Sequence, residues 1–224
     1  MRHLIKKILH PFLKLGADRY YAKPRIYRYE GIEVLVEPSV FPPHLTISTK
    51  ILLEYLKTID LKEKSLLELG CGSGIISLFT ASKGAIVTAS DINTIALKAL
   101  TKASEKNQLP IITIYSDLFT DISTLHFDYI IINPPYYPNQ PKNIKEQAWF
   151  CGENFEYFER LFLQLSKYVN PSNNILMILS EDCQIKKIND IAHKNNLLLQ
   201  CILEKKVISE KNYIFKILIN EKVD

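Results

Sequence analysis

Several groups of residues in this 224-residue sequence could do chemistry together. Three of its seven glycines, Gly70, Gly72 and Gly74, fall within five positions in LLELGCGSG (66–74). An apolar run that ends in such a turn and leads into a helical pattern reads as a buried strand. A ligand can approach its backbone closely, because no Cβ stands in the way. The spacing is GxGxG, without the third glycine of a dinucleotide fingerprint, and no Lys-Ser/Thr pair follows. Phosphate-cradling loops are thereby excluded, which leaves a nucleoside-like ligand without phosphates.

Acids follow at useful distances. Asp91 closes the next apolar run, 21 residues beyond Gly70. A carboxylate there can accept from both hydroxyls of a ribose, or can cap the helix that begins near Asn93. Asp117, at the end of IITIYSD, could accept from an adenine amino group while Leu118 offers its backbone N–H; a turn cap is the other use. The run FDYIIIN then leads into Asn133-Pro134-Pro135-Tyr136. Two prolines end a strand and fix the backbone. An amide oxygen and a rigid carbonyl then face outward as a double acceptor, suited to a substrate –NH2 with two donors. Tyr136 can stack on a flat π system. A turn alone would need the prolines but neither the asparagine before them nor the aromatic after them.

Elements that position these residues alternate along the chain. Strands are expected at 31–37, 65–70, 85–91, 111–117, 127–133, 174–182, 197–205 and 212–220. Helices are expected at 48–59, 75–83, 93–107, 155–169 and 185–196 from apolar spacing at helical period. Continuous apolar strands between helices imply a parallel sheet covered on both faces. The last two strands have no crossover helix between them and must be antiparallel. The pattern predicts an α/β fold: an open sheet of about seven strands, mostly parallel, with one reversed strand at its edge.

In order and spacing, LELGCGSG, Asp91, SDLF and NPPY resemble the class I S-adenosylmethionine-dependent methyltransferases. In detail they resemble the HemK/PrmC-like, "methyltransferase small" branch, which methylates planar nitrogens. The likeness covers roughly residues 32–220. It implies a Rossmann-like seven-stranded sheet with an antiparallel last strand, and S-adenosyl-L-methionine as cofactor. By the same resemblance Glu68, Gly70, Gly72 and Gly74 surround the cofactor's methionine part. Asp91 holds the ribose, and Asp117 with Leu118 holds the adenine. Asn133, the carbonyl of Pro134 and Tyr136 position the acceptor nitrogen. The implied function is N-methylation of a protein glutamine, with adenine-N6 methylation of rRNA or tRNA as the alternative. A cofactor-binding module without catalysis is disfavoured by the intact NPPY.

Some segments depart from that family's pattern. Residues 1–47 precede the first helix where release-factor enzymes carry a helical domain, which speaks against a release factor as acceptor. VEPSVFPPHLTIST (36–49) is expected to fold over the cofactor, with Phe41, Pro42 and Pro43 as cover and Thr46 as a further candidate. The polar stretch between Pro138 and Asn154, with the sole tryptophan, Trp149, reads as a substrate lid or else as a core anchor.

Composition sets the bounds. At 47% hydrophobic and 23% charged, the chain is an ordinary globular protein with no apolar run long enough to span a membrane. Cys71, Cys151, Cys183 and Cys201 form no CxxC pair and read as buried thiols of a cytoplasmic protein. The net charge of +4 is uneven. Residues 1–30 hold eight Lys/Arg against Asp18 and Glu30, a net of +6, which leaves −2 for the remainder. We therefore expect a basic extension at 1–30 and a catalytic domain at 31–224. The extension is either a solvated helix face or an arm that touches RNA, a ribosomal surface or an acidic protein.

Overall fold

Strand β1 (Arg25–Tyr29) and strand β2 (Ile32–Val36) pair antiparallel through a two-residue turn at Glu30-Gly31, both at positive φ as a tight hairpin requires. The coordinates are a computed structural model and describe residues 22–123, 126–207 and 210–220. Arg2, Lys6, Lys7, Lys14 and Arg19 of the basic extension thus lie outside the described residues. β1 is a strand that the sequence reading omitted: its side chains alternate half-buried and exposed, so no apolar run marks it. β2 buries Ile32, Val34 and Val36.

The loop after β2 leads to α1 (Ile47–Leu56). This helix ends three residues before the expected limit, because the backbone and hydroxyl of Thr58 both donate to the Tyr55 carbonyl and tighten the last turn. Then follow β3 (Ser65–Leu69), α2 (Ile75–Ser82), β4 (Ile86–Asp91), α3 (Thr94–Asn107), β5 (Ile111–Tyr115) and β6 (Tyr129–Ile132). A short helix, α4 (Ile144–Gln147), precedes α5 (Glu156–Leu165), β7 (Asn174–Ser180), α6 (Ile185–Lys194), β8 (Leu197–Val207) and β9 (Glu210–Ile219).

Seven strands form the main sheet in the order β5-β4-β3-β6-β7-β9-β8. The first five run parallel, and β9 is antiparallel to both of its neighbours. This is the Rossmann-like α/β arrangement, with one correction. The reversed strand is not at the edge, since β9 inserts between β7 and β8. Burial explains the choice: β9 carries Ile214, Phe215 and Ile217 into the core, whereas most of β8 beyond Leu199 is exposed or half-buried.

Side chains alternate between two cores. Leu66, Ile131, Leu176 and Ile178 face α1, α2, α3 and the hairpin. Leu67, Leu69, Ile130, Ile132, Met177 and Leu179 face α5 and α6. With both faces covered, the loops at the carboxyl ends of the parallel strands remain the natural place for a ligand.

Candidate active site

The turn from β3 into α2 is pinned to the end of β4. The N–H groups of Gly70 and Cys71 both donate to the Ser90 carbonyl at 2.9 Å. Gly70 has φ +75°, and a Cβ there would meet nothing within 4 Å, so it would project into open space. Gly72 donates its N–H to Asp91 Oδ2 at 2.7 Å, and the Asn93 N–H donates to Oδ1 at 2.8 Å. Helix α3 is capped by Asn93, whose side chain accepts from Ile95 N–H, so the capping use considered for Asp91 falls to its neighbour. Asp91 thus accepts from the backbone on both of its oxygens and still lines the cavity.

Gly74 sits otherwise than the sequence reading placed it. It begins α2 at φ +73°, and a Cβ would lie 2.4 Å from Leu100 Cδ1 on α3. Its missing side chain lets two helices close together and does not line the cavity.

Glu68 is buried and accepts from both the N–H of Ser77 (2.8 Å) and its hydroxyl. Burial pushes its carboxyl up to about 8, against the pull of the Ser77 donors, and the charge of Asp91 pushes the same way. Burial also raises Asp91, opposed by the N–H groups of Asn93, Gly72 and Ile92. Among the described residues neither carboxylate has an ion-pair partner. A buried acid and a half-buried one side by side without a cation are costly unless a ligand supplies complementary groups.

A cavity of about 340 Å³ gathers Glu68, Gly70, Gly72, Asp91, Asp117, Leu118 and Asn133 on its walls. Leu118 takes a left-handed φ of +55° and is buried. Asp117 is half exposed and caps no turn; its carboxylate pairs with Arg160 at 2.5 Å. Pro135 lines the cavity, whereas Pro134 is buried behind it and Tyr136 lies outside the wall, its ring 4.8 Å from that of Tyr137. Burial raises the Tyr136 phenol. Asn133 donates from Nδ2 to Thr49 Oγ1 at 3.5 Å.

Both flanking segments reach this cavity. Phe41 lines it and packs against Trp149 with ring centroids 4.8 Å apart. Trp149 is half-buried and belongs to neither core. Ser39 accepts from Asn93 Nδ2 at 2.9 Å, fastening the 37–46 loop over the end of β4. Pro42 and Pro43 are buried but do not line the cavity. Of the four thiols, Cys71, Cys151 and Cys183 are buried and Cys201 is exposed.

Tyr157 and Arg160 also line the cavity, and the sequence reading missed them. The signal was present as spacing: they stand one turn apart on α5, on the face that its apolar stripe Phe158, Leu161, Phe162 and Leu165 leaves free. Thr49 was hidden among the apolar residues of α1. Among the described residues no group of His, Cys, Asp and Glu could hold a metal ion, and no helix is long and apolar enough to cross a membrane.

Residues 31–151 match the family model described as methyltransferase small domain. A Methanocaldococcus jannaschii protein named "putative protein N5-glutamine methyltransferase" is 32% identical over 161 residues, 69% of this chain and 79% of that one. The ribosomal RNA small subunit methyltransferase C of Actinobacillus pleuropneumoniae is 32% identical over 114 residues, half of this chain and 34% of that protein. The chain therefore spans about a third of that relative's length. Among solved structures, the T. thermophilus 16S rRNA N2 G1207 methyltransferase, in complex with AdoMet and guanosine, shares the fold with TM-score 0.61 and 18% identity. That match covers 86% of this chain and 50% of the other. A glycine turn, two acids beside it and a match over more than half the sequence lead to one assignment: this chain belongs to the methyltransferase small domain family and is an S-adenosylmethionine-dependent methyltransferase.

Proposed function

We propose that this protein transfers a methyl group to the side-chain amide nitrogen of a protein glutamine. The observation that carries the reading is Asn133, an amide at the rigid end of β6 on the wall of the cavity that the glycine turn floors. The relative covering most of this chain bears a glutamine methyltransferase name, which supports the same acceptor.

In this reading Glu68, next to Gly70 and Gly72, holds the cofactor's ammonium group, and Asp91 accepts from the ribose hydroxyls. Asp117 and the Leu118 N–H hold the adenine edge, with Arg160 setting the direction of the Asp117 carboxylate. When bound, the cofactor supplies an electrophilic methyl group on a sulfonium. Asn133 Oδ1 and the Pro134 carbonyl accept the two N–H groups of the acceptor, and Tyr136 backs its plane. A planar amide nitrogen is a poor nucleophile because its lone pair is delocalised. Accepting from both hydrogens draws the nitrogen out of conjugation and aims its lone pair. The contribution of the protein is thus position and electrostatics.

The acceptor side carries negative charge: Asp182 and Glu210 are close enough to Tyr137 and Tyr136 to push their phenols further up, beyond the effect of burial. Such a surface suits a polypeptide better than a polyphosphate. Residues 31–224 form the bulk of the catalytic domain in this reading and the protein works in the cytoplasm; of residues 1–30, read as a basic extension, Arg25–Tyr29 pair with β2 and belong to the domain. The second reading, adenine-N6 methylation of rRNA or tRNA, draws on the rRNA-modifying relatives and on the basic extension as an RNA or ribosome contact, in which Lys23 and Arg28 are exposed.

S-adenosyl-[methyl-³H]methionine, incubated with the protein and an extract of cells that lack it, tests both. We expect protease-sensitive label that acid hydrolysis releases as methylamine. Label that is removed by nuclease instead would transfer the assignment to RNA.

A further inference from the structure

The start of α1 breaks a local rule. Thr46 occupies its N-cap, where a threonine hydroxyl ordinarily accepts from a backbone N–H of the first turn. Here it makes no such bond. Its Oγ1 lies 3.0 Å from the Oγ1 of Thr49, three residues on. Omitting a cap bond costs about 1 kcal/mol, and a rule broken beside a site usually marks a function. Thr49 itself is 3% exposed and lines the cavity, and its Oγ1 receives the Asn133 Nδ2 donor from the end of β6.

In the arrangement present, the bonds of this relay run one way. Asn133 Nδ2 can only donate, so the Thr49 oxygen accepts, and the Thr49 hydroxyl hydrogen is free to go to Thr46. An asparagine amide can otherwise flip, exchanging its oxygen for its NH2. A hydroxyl can also donate, so Thr49 selects Nδ2 only while its own hydrogen is turned to Thr46 Oγ1; the side that then remains for an acceptor nitrogen is Oδ1. A flipped amide would present donors to a donor and repel it.

From this geometry we infer that Thr49, supported by Thr46, is a positioning residue that holds the Asn133 amide with its oxygen toward the acceptor nitrogen. The inference rests on the role proposed for Asn133. At 3.5 Å the Asn133–Thr49 bond is long, as bonds of catalytic groups often are before substrate is bound, and it tightens when the acceptor pulls on Oδ1. Thr49 suits the task because its branched side chain is stiff at χ1 and α1 is packed into the core through Ile51, Leu52, Leu53 and Leu56. Thr46 joins the cover loop to the same relay, so loop and acceptor group are set together.

The test compares Thr49→Val, Thr49→Ser, Asn133→Ala and the double variant Thr49→Val/Asn133→Ala. The readouts are label transfer from S-adenosyl-[methyl-³H]methionine into extract protein, cofactor affinity by calorimetry, melting temperature, and the ¹⁵N–¹H signals of the Asn133 side chain. Thr49→Val, which keeps the shape and removes the hydroxyl, should slow transfer about tenfold, the worth of one hydrogen bond, with cofactor affinity unchanged. Thr49→Ser should recover most of the rate. The double variant should be no slower than Asn133→Ala, because the two residues act as one unit. The Asn133 amide signals should move in Thr49→Val and stay in Thr49→Ser. An inactive Asn133→Ala beside a fully active Thr49→Val with unmoved amide signals overturns the inference alone. A fully active Asn133→Ala overturns the role of Asn133 and the inference with it.

Discussion

The two halves of the cavity are built to different tolerances. On the side of β3 and β4, each turn is tied by short bonds: Gly70 and Cys71 to Ser90 at 2.9 Å, Gly72 to Asp91 at 2.7 Å, Ser77 to Glu68 at 2.8 Å. At the end of β6, Asn133 has one side-chain bond among the described residues, at 3.5 Å, and the segment beyond it meets the cover loop through the Phe41–Trp149 ring contact. The first half is finished before any ligand arrives. The second, in the role proposed for Asn133, offers an acceptor and waits for donors. A small, invariant ligand rewards preorganisation, whereas a macromolecular acceptor must be admitted, placed and released.

Single substitutions should separate the halves, and the largest effect is expected from the acceptor half. Asn133→Ala should lower methyl transfer by about 10²–10³, the usual consequence of losing one preorganised electrostatic contact, while calorimetry finds cofactor affinity unchanged. Asp91→Ala should do the reverse at the level of binding. It removes acceptors for the ligand and frees the Gly72 N–H, and affinity should fall about 10–100-fold, as for a hydrogen bond to a charged group. If Asp91→Ala bound the cofactor as well as the wild type, or Asn133→Ala turned over normally, the division of labour would be wrong.

A middle-sized effect should appear with pH. Because burial holds the Glu68 carboxyl near 8, it is mostly protonated at pH 7 without ligand. An ammonium group beside it favours the anion, so binding should release a proton. Affinity should then rise with pH, about tenfold per unit below 8, and level off above it. Glu68→Gln should flatten that slope, as calorimetry in buffers of different ionisation enthalpy will measure. The sign for the free protein is opposite. The folded state holds a proton that the unfolded state, near 4.5, has lost, so this group contributes less stability as pH rises from about 5 through 8.

The same contrast governs what could be read from the sequence. Glycines, strand-ending acids and consecutive prolines act through backbone geometry over short spans, so the cavity's floor and the β6 end were visible as spacing. The order of β8 and β9 was not, because two apolar runs joined by a polar stretch fix antiparallel pairing but not which strand lies inside. Tyr157 and Arg160 escaped for a related reason. On an amphipathic helix the apolar face announces itself, and the polar face reads as solvent-exposed until the neighbouring walls are known. Gly74 shows the converse: its place in the motif suggested a ligand, and its real neighbour, Leu100, lies 26 residues away.

The smallest effect, and the one that probes how the halves are joined, belongs to Phe41 and Trp149. Phe41 lines the cavity, while Trp149 belongs to the segment after NPPY, so their contact lets a ligand in the cavity be felt by that segment. Aromatic pairs contribute about 0.5–1.5 kcal/mol beyond their buried area, which corresponds to roughly 2–10-fold. Phe41→Ala should weaken cofactor binding by that order and leave Glu68, Asp91 and their hydrogen bonds intact. Trp149 is the only tryptophan in the chain and serves as its own reporter. In the wild type its fluorescence should change as the cofactor binds. In Phe41→Ala that change should vanish while calorimetry still records binding. An unaltered fluorescence response in the variant would mean that Trp149 senses the ligand without Phe41, through Ala148 and Phe150, which line the cavity on either side of it.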